Sequence, residues 1–428
     1  MISTQPQLVR RPARFLVGLM RRRPKTCLAV ALVVALAMWL GVDAWWHRHQ
    51  RAALRDFQLD LLASAYDHQE AYLQQWPDDF EAHLLAARMA RLLGSFTQAE
   101  KHLNKCMRLR GATEETQLEF LLMRAHGGEL GKVEANLTRC VEEKDHYLLV
   151  LEGLTQSYMK ELRYLSAAAC LYKWLEEEPD SVRALSWRGW VRENLEFSEG
   201  ALEDYRRVLQ ISPRHATTRL RLANMLLSAS KVPEAAANLD FLERITPDNP
   251  EVLIALAQCR SLQGRDQEAI AYLDKLLAGQ PDHVRALYQR GKLEIDPVKK
   301  EKWFREAIQG DPSFHDASYA LYVALNQQPG RKAEAAQQLK SYEQTMKTWM
   351  GLKDAMQELE RSPHNPELLA KVGNILLTRD PVTALSFLQK ALAIAPEHQR
   401  ANETLARYFD GRNEPEKAAI HRKRLSAK

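Results

Sequence analysis

The chain has 428 residues, of which 46% are hydrophobic and 27% charged, and its mean hydropathy is -0.41. These values exclude a disordered chain, which has fewer apolar residues, and a membrane protein with many spans, which has more. The formal charge is +5, but residues 1–55 contain 10 Lys and Arg against one acidic residue, Asp43, which leaves 50 basic and 54 acidic residues in the remainder. The charge distribution therefore argues against nucleic acid as a partner.

The N-terminal region has the pattern of a membrane anchor. Residues 1–25 contain seven Lys and Arg and no acidic residue, and an uncharged run of 17 residues follows from Thr26 to Val42. Extending the run to Trp46 gives a segment, 26–46, that is long enough for one membrane-spanning helix with tryptophans at the interface. The positive charge predicts that 1–25 lies in the cytoplasm and that the rest of the chain lies outside the cytoplasmic (inner) membrane.

A cleaved signal peptide is the alternative for the same region, because small residues flank Asp43 after the apolar run. The long basic leader, and an apolar run longer than usual for a signal peptide, favour the anchor. Under that interpretation, residues 47–79 are a juxtamembrane helical segment.

The rest of the chain is repetitive. Seven turn positions are spaced 34 residues apart: Pro77, Gly111, Asp145, Pro179, Pro213, Pro247 and Pro281. Residue types recur in the same period, with small residues such as Gly189 and Gly291 in first helices, alanines such as Ala201 in second helices, and a bulky apolar residue such as Tyr205 four positions later. A period of about 34 residues is typical of paired antiparallel helices joined by turns.

These residues resemble the tetratricopeptide repeat (TPR) family, and with the N-terminal segment they resemble its membrane-anchored bacterial members. The resemblance implies an all-α fold, a right-handed α-solenoid of antiparallel helix pairs. It gives six regular units over 80–283, irregular units over 284–398 and a C-terminal capping unit over 399–428. One long charged helix is expected over 333–360.

The resemblance also implies a binding surface on the concave face, which the first helices line. Matching positions in four adjacent units give the partner-binding groove residues Arg183, Trp190, Asn224, Gln258, Tyr288 and Lys292. Aromatic and Arg side chains are typical anchors in protein interfaces.

Motifs of catalysis are absent from the sequence: it contains no phosphate-binding Gly-rich loop, HExxH or GxSxG, and its five cysteines form no CxxC pair. We therefore expect no enzyme activity, catalytic residue, cofactor or metal. The expected function is a membrane-tethered scaffold for other proteins or peptides. The alternative is a TPR subunit of a cell-envelope assembly pathway, such as polysaccharide or lipopolysaccharide export or control, or cytochrome maturation.

Overall fold

A computed structural model describes residues 48–426, and every regular element in that range is a helix. This confirms the all-helical repeat fold expected from the sequence. The predicted segments 1–25 and 26–46 lie outside the described residues. Between residues 48 and 426, no helix combines the length and the apolar composition that a membrane crossing requires.

The chain forms two compact units, divided after Glu119. In the first unit, residues 48–58 are helical, and a turn with Asp60 at a φ of 58° follows. The segment predicted as one juxtamembrane helical stretch thus contains two helices. The helices that follow are α1 (Leu62–Gln75), α2 (Phe80–Leu92), α3 (Phe96–Arg110) and the start of α4 (Glu114–Arg124).

The second unit continues from Phe120 and contains the groove positions. Its first complete helix is α5 (Leu130–Glu143), and the helices from α6 onward form pairs: α6 (Tyr147–Lys160), α7 (Tyr164–Glu177), α8 (Val182–Asn194), α9 (Ser198–Ile211), α10 (Ala216–Ser228), α11 (Val232–Ile245), α12 (Pro250–Leu262), α13 (Asp266–Gly279), α14 (Val284–Leu293), α15 (Pro297–Gly310), α16 (His315–Asn326), α17 (Lys332–Arg361), α18 (Pro366–Leu376), α19 (Pro381–Ile394), α20 (Gln399–Gly411) and α21 (Pro415–Ser426).

Turns between repeats contain a residue that ends one helix and a residue that caps the start of the next. In the turns at Pro77, Pro179, Pro213, Pro247 and Pro281, the proline follows one helix, and two residues later a side chain accepts a hydrogen bond from a backbone N–H of the next helix. Proline cannot continue the first helix, and the cap satisfies an N–H that has no partner within the second. The capping residues are Asp79, Ser181, His215, Asn249 and His283.

Helix pairs pack where a small residue of one helix meets a bulky residue of the next. A Cβ atom added to Gly189 on α8 would lie 2.5 Å from Cε1 of Tyr205 on α9, and one added to Gly291 on α14 would lie 2.6 Å from Phe304. Ala201 and Tyr205 are both fully buried. The residue pattern inside the predicted period therefore corresponds to the helix crossings.

Two departures from the regular repeat matter for the site. Residues Ala125–Glu129 form a short π-helical segment between α4 and α5, with Gly128 at a φ of 104°. The long helix expected over 333–360 is α17, which has 30 residues. Its first part packs on α16 and its last part on α18, so it bridges two repeats.

Candidate functional site: first helices of the second unit

The six predicted groove residues all lie on first helices of the second unit, namely α8, α10, α12 and α14. Their exposure differs. Arg183 is buried and Lys292 is exposed, and the others are half-buried, namely Trp190, Asn224, Gln258 and Tyr288.

Arg183 makes a buried ion pair with the preceding repeat. Its Nη1 atom lies 2.6 Å from Oε2 of Glu152 on α6, and the two side chains are 5% and 0% exposed. The guanidinium is therefore held between first helices of neighbouring repeats rather than presented to solvent. Its placement fixes α8 against α6.

Trp190 forms an aromatic and cationic patch with two neighbours, the Trp190 patch. Its ring meets the ring of Tyr164 edge-on at a centroid distance of 5.5 Å, and the guanidinium carbon of Arg221 lies 5.8 Å from the Trp190 centroid. Burial raises the pKa of Tyr164 to about 12, so this phenol stays neutral. Asn224 lies three residues after Arg221 on α10, which places both side chains on one helix face.

Gln258 and Lys292 come together at a second place, the Lys292 cavity, and Tyr288 lies beside Lys292. A cavity of about 80 Å³ lies between α12 and α14, and both Gln258 and Lys292 line it, together with Ser261 and Gln289. The Nζ atom of Lys292 lies 5.6 Å from the centroid of the Tyr288 ring.

Tyr288 is itself fixed by packing. Its ring contacts Phe314 edge-on at 5.1 Å and Phe304 at 6.1 Å between centroids. Burial and then the charge of Asp316 raise the pKa of Tyr288 above its usual value. The hydroxyl is therefore neutral, and the ring is held beside the Lys292 cation.

Sequence reasoning missed an aromatic cluster one repeat further on. Tyr319 on α16 lies 5.1 Å from Tyr342 and 5.7 Å from Tyr322 between ring centroids, and it is 47% exposed. Tyr319 follows Tyr288 by 31 residues, three fewer than the regular period of 34. Continuing the groove positions through the irregular unit would have found it.

Residues 48–426 contain no group of three or more His, Cys, Asp or Glu side chains placed to hold an ion. The polar groups of the site are amides, hydroxyls and cations, which bind peptide groups and carboxylates.

Comparison with known families gives one match inside this region. Residues 226–291 match the family model described as Tetratricopeptide repeat. The matched segment includes Gln258 and Tyr288, and it supports the TPR resemblance that the 34-residue period indicated.

Two curated proteins are similar to parts of the chain. A TPR repeat-containing protein of Pseudomonas aeruginosa, PA4667, is 27% identical over 221 residues, which are 50% of this chain and 34% of that protein. Anaphase-promoting complex subunit 7 of Mus musculus is 26% identical over 184 residues, which are 42% of this chain and 32% of that protein. The chain thus spans about a third of the length of these relatives.

Solved structures with similar helices have low identity. A tetratricopeptide repeat protein from Parabacteroides merdae is 14% identical, with a TM-score of 0.36 over 66% of this chain and 99% of that chain. The human IFIT1 dimer with m7Gppp-AAAA is 16% identical, with a TM-score of 0.40 over 81% of this chain and 89% of that chain.

Proposed function

We propose that this protein is a non-catalytic scaffold, tethered to a membrane, that binds other proteins through the first helices of its second unit. The observation that carries the proposal is the Lys292 cavity, because residues from two consecutive first helices meet there as the resemblance implies for a groove. Short or extended peptides are recognised when apolar and aromatic side chains anchor them and polar groups select among them.

The side chains of the Lys292 cavity and of the Trp190 patch support a peptide with acidic character as the ligand. No carboxylate pairs with Lys292 within residues 48–426, and the cation faces the Tyr288 ring instead. Gln258 and Gln289 provide amide donors and acceptors for a peptide backbone. The Trp190 patch supplies an aromatic anchor beside Arg221, whose charge already pairs with Glu193 at 3.4 Å, so the acidic preference comes from Lys292.

Tethering is proposed from the sequence of residues 26–46. An uncharged run with basic residues before it favours a single span with residues 1–25 in the cytoplasm. A scaffold confined to a membrane surface raises the effective concentration of partners that are also held there.

The groove proposal is tested by site-specific photo-cross-linking from Gln258 in cells. Trp190→Ala combined with Lys292→Glu is expected to abolish the cross-linked partner bands, because the anchor and the selecting charge are both lost. Phe197→Ala serves as the matched control, since Phe197 is 63% exposed and lies outside both patches. Unchanged cross-linking in the double variant, with unchanged circular dichroism, would show that partners bind elsewhere.

The tether is tested separately by membrane fractionation and by protease treatment of spheroplasts. We expect the protein to sediment with membranes and the repeats to be cut in intact spheroplasts. Repeats that are protected until the spheroplasts are permeabilised would reverse the proposed orientation. A soluble product that lacks residues 1–44 would identify a cleaved signal peptide.

A further inference from the structure

The long helix α17 leaves a second cavity in the repeat array. It lies where α17 passes from its contact with α16 to its contact with α18, and its volume is about 190 Å³. The lining residues come from the turn before α16, the middle of α17, the end of α18 and the turn after it: Pro312, Ser313, Thr345, Thr348, Trp349, Leu352, Ile375, Leu376, Thr378 and Arg379.

The lining has an apolar floor and a cationic rim. Leu352 and Leu376 are buried, and they form the floor together with Ile375. Arg379 is the one charged lining residue, so the cavity carries a single positive charge and no negative one. A volume of about 150 Å³ accommodates a benzene-sized group in protein interiors, so this cavity has room for one large apolar side chain.

Arg379 is positioned by stacking rather than by an ion pair. Its guanidinium carbon lies 4.7 Å from the centroid of the Trp349 ring, and His315 stacks with the same ring at 6.0 Å. Across the part of the chain that the structure describes, no carboxylate pairs with Arg379. The nearby Asp380 carboxylate instead caps α19, where it accepts a hydrogen bond from the backbone N–H of Thr383.

Three lining hydroxyls of the cavity already donate hydrogen bonds within the protein. The hydroxyls of Thr345 and Thr348 donate to backbone carbonyls of their own helix, and the hydroxyl of Ser313 donates to Asp311. The donors that remain are the Arg379 guanidinium, the Trp349 indole N–H and the Thr378 hydroxyl. Such a set is complementary to a carboxylate that carries no proton.

We propose that this cavity, the Trp349 pocket, binds a segment of a partner polypeptide in which a large apolar residue lies next to an acidic residue. The apolar side chain fills the floor over Leu352 and Leu376, and the acidic side chain pairs with Arg379 at the rim. Charge complementarity decides this occupant, since the pocket has one unpaired cation and no anion. The proposal rests on the proposed function, because the occupant belongs to a protein partner.

The experiment is selection of a phage-displayed library of random peptides on the purified full-length chain, followed by affinity measurements with the selected peptides. We expect enrichment of apolar residues followed closely by Asp or Glu, and loss of binding to Trp349→Ala. Arg379→Gln is expected to weaken binding about tenfold, as removal of a charge-assisted hydrogen bond does. Changing the peptide's acidic residue to its amide should weaken binding by the same factor, with no further loss when both changes are combined.

Arg412→Gln is the matched control, because Arg412 is also exposed and its guanidinium carbon lies 5.6 Å from the Tyr408 ring centroid. This variant loses the same charge and should bind the peptides normally. Selected peptides that bind Trp349→Ala and Arg379→Gln as tightly as the parent would overturn the proposal, as would a selection that yields no Trp349-dependent peptide. Competition by inorganic phosphate as effective as that of the peptide would show a simple anion site and would also overturn it. Because these variants leave Trp190 and Lys292 unchanged, the groove proposal can fail or succeed independently.

Discussion

At the scale of single residues, Arg183 shows how burial changes the role of a groove position. The sequence places it among residues that line a binding face, but the structure pairs it with Glu152 at 2.6 Å inside the protein. Removal of one partner from a buried pair leaves an uncompensated charge, whereas replacement of both by apolar residues is often neutral. Loss of one partner is therefore costly even where the pair adds little net stability, and this cost can be separated from partner binding.

Arg183→Ala is expected to lower the free energy of unfolding by about 3–5 kcal/mol, because the Glu152 carboxylate remains buried without its cation. The double variant Arg183→Leu and Glu152→Leu should recover most of that loss. Urea unfolding followed by circular dichroism measures both. If the double variant stays as unstable as the single one, the pair is not the source of the loss. If it is stable but fails to cross-link partners, Arg183 contributes to binding directly.

At the scale of helices, the crossings depend on residues without side chains. Gly189 allows α8 to approach the Tyr205 ring, which is fully buried and fixed by a hydrogen bond from its hydroxyl to Glu193 at 2.8 Å. In contrast, a Cβ atom added to Gly351 in α17 would meet no atom within 4 Å. The two glycines therefore predict opposite effects of the same substitution.

Gly189→Ala is expected to destabilise the protein by about 1–3 kcal/mol, because the added methyl group overpacks the crossing. Gly351→Ala is expected to stabilise it by about 0.5–1 kcal/mol, because alanine loses less backbone entropy in a helix. Thermal and urea unfolding of the two variants measure the difference. Equal effects in the two variants would mean that helix propensity, not the Tyr205 contact, determines the response.

The repeat could be predicted from the sequence because it depends on residues that lie close together in the chain. Pro213 and His215, or Pro247 and Asn249, end one helix and cap the next, and small residues such as Gly189 recur at crossings. The Trp349 pocket could not be predicted from the sequence, because it depends on how α17 packs against α18. The burial of Arg183 was missed for the same reason, since position within a repeat does not reveal a carboxylate on the neighbouring one.

At the scale of the whole molecule, the second unit contains contacts between repeats that are far apart in sequence. The Glu360 side chain near the end of α17 accepts the Leu165 N–H at 2.8 Å and the Ser166 hydroxyl at 3.1 Å, so it caps the start of α7. Lys390 on α19 pairs with Glu161 at 2.7 Å. We call these contacts the seam. A linear solenoid has contacts between neighbouring repeats only, so the seam couples repeats that would otherwise be independent.

Around the Glu161–Lys390 pair, the seam has more positive than negative charge. Lys160 lies beside Glu161, and burial followed by the charge of Lys390 lowers its pKa. Two lysines therefore share one region with the Glu161 carboxylate. Changing Glu161 to lysine places three cations together. Changing Lys390 to glutamate instead leaves Lys160 as a partial counter-ion for the two carboxylates.

Glu161→Lys is therefore expected to open the seam more than Lys390→Glu, and the combined swap of both charges should restore most of the contact. Hydrogen exchange at the Leu165 amide measures opening directly, because Glu360 accepts that N–H only when the seam is closed. The Leu239 amide, in the buried core far along the chain from the seam, provides the internal control. The single variants should speed exchange at Leu165 without changing it at Leu239. The increase in the Leu165 exchange rate in the double swap is compared with the product of the increases in the two single variants. If the two values are equal, Glu161 and Lys390 do not interact, and the Glu360 cap holds the repeats together without them.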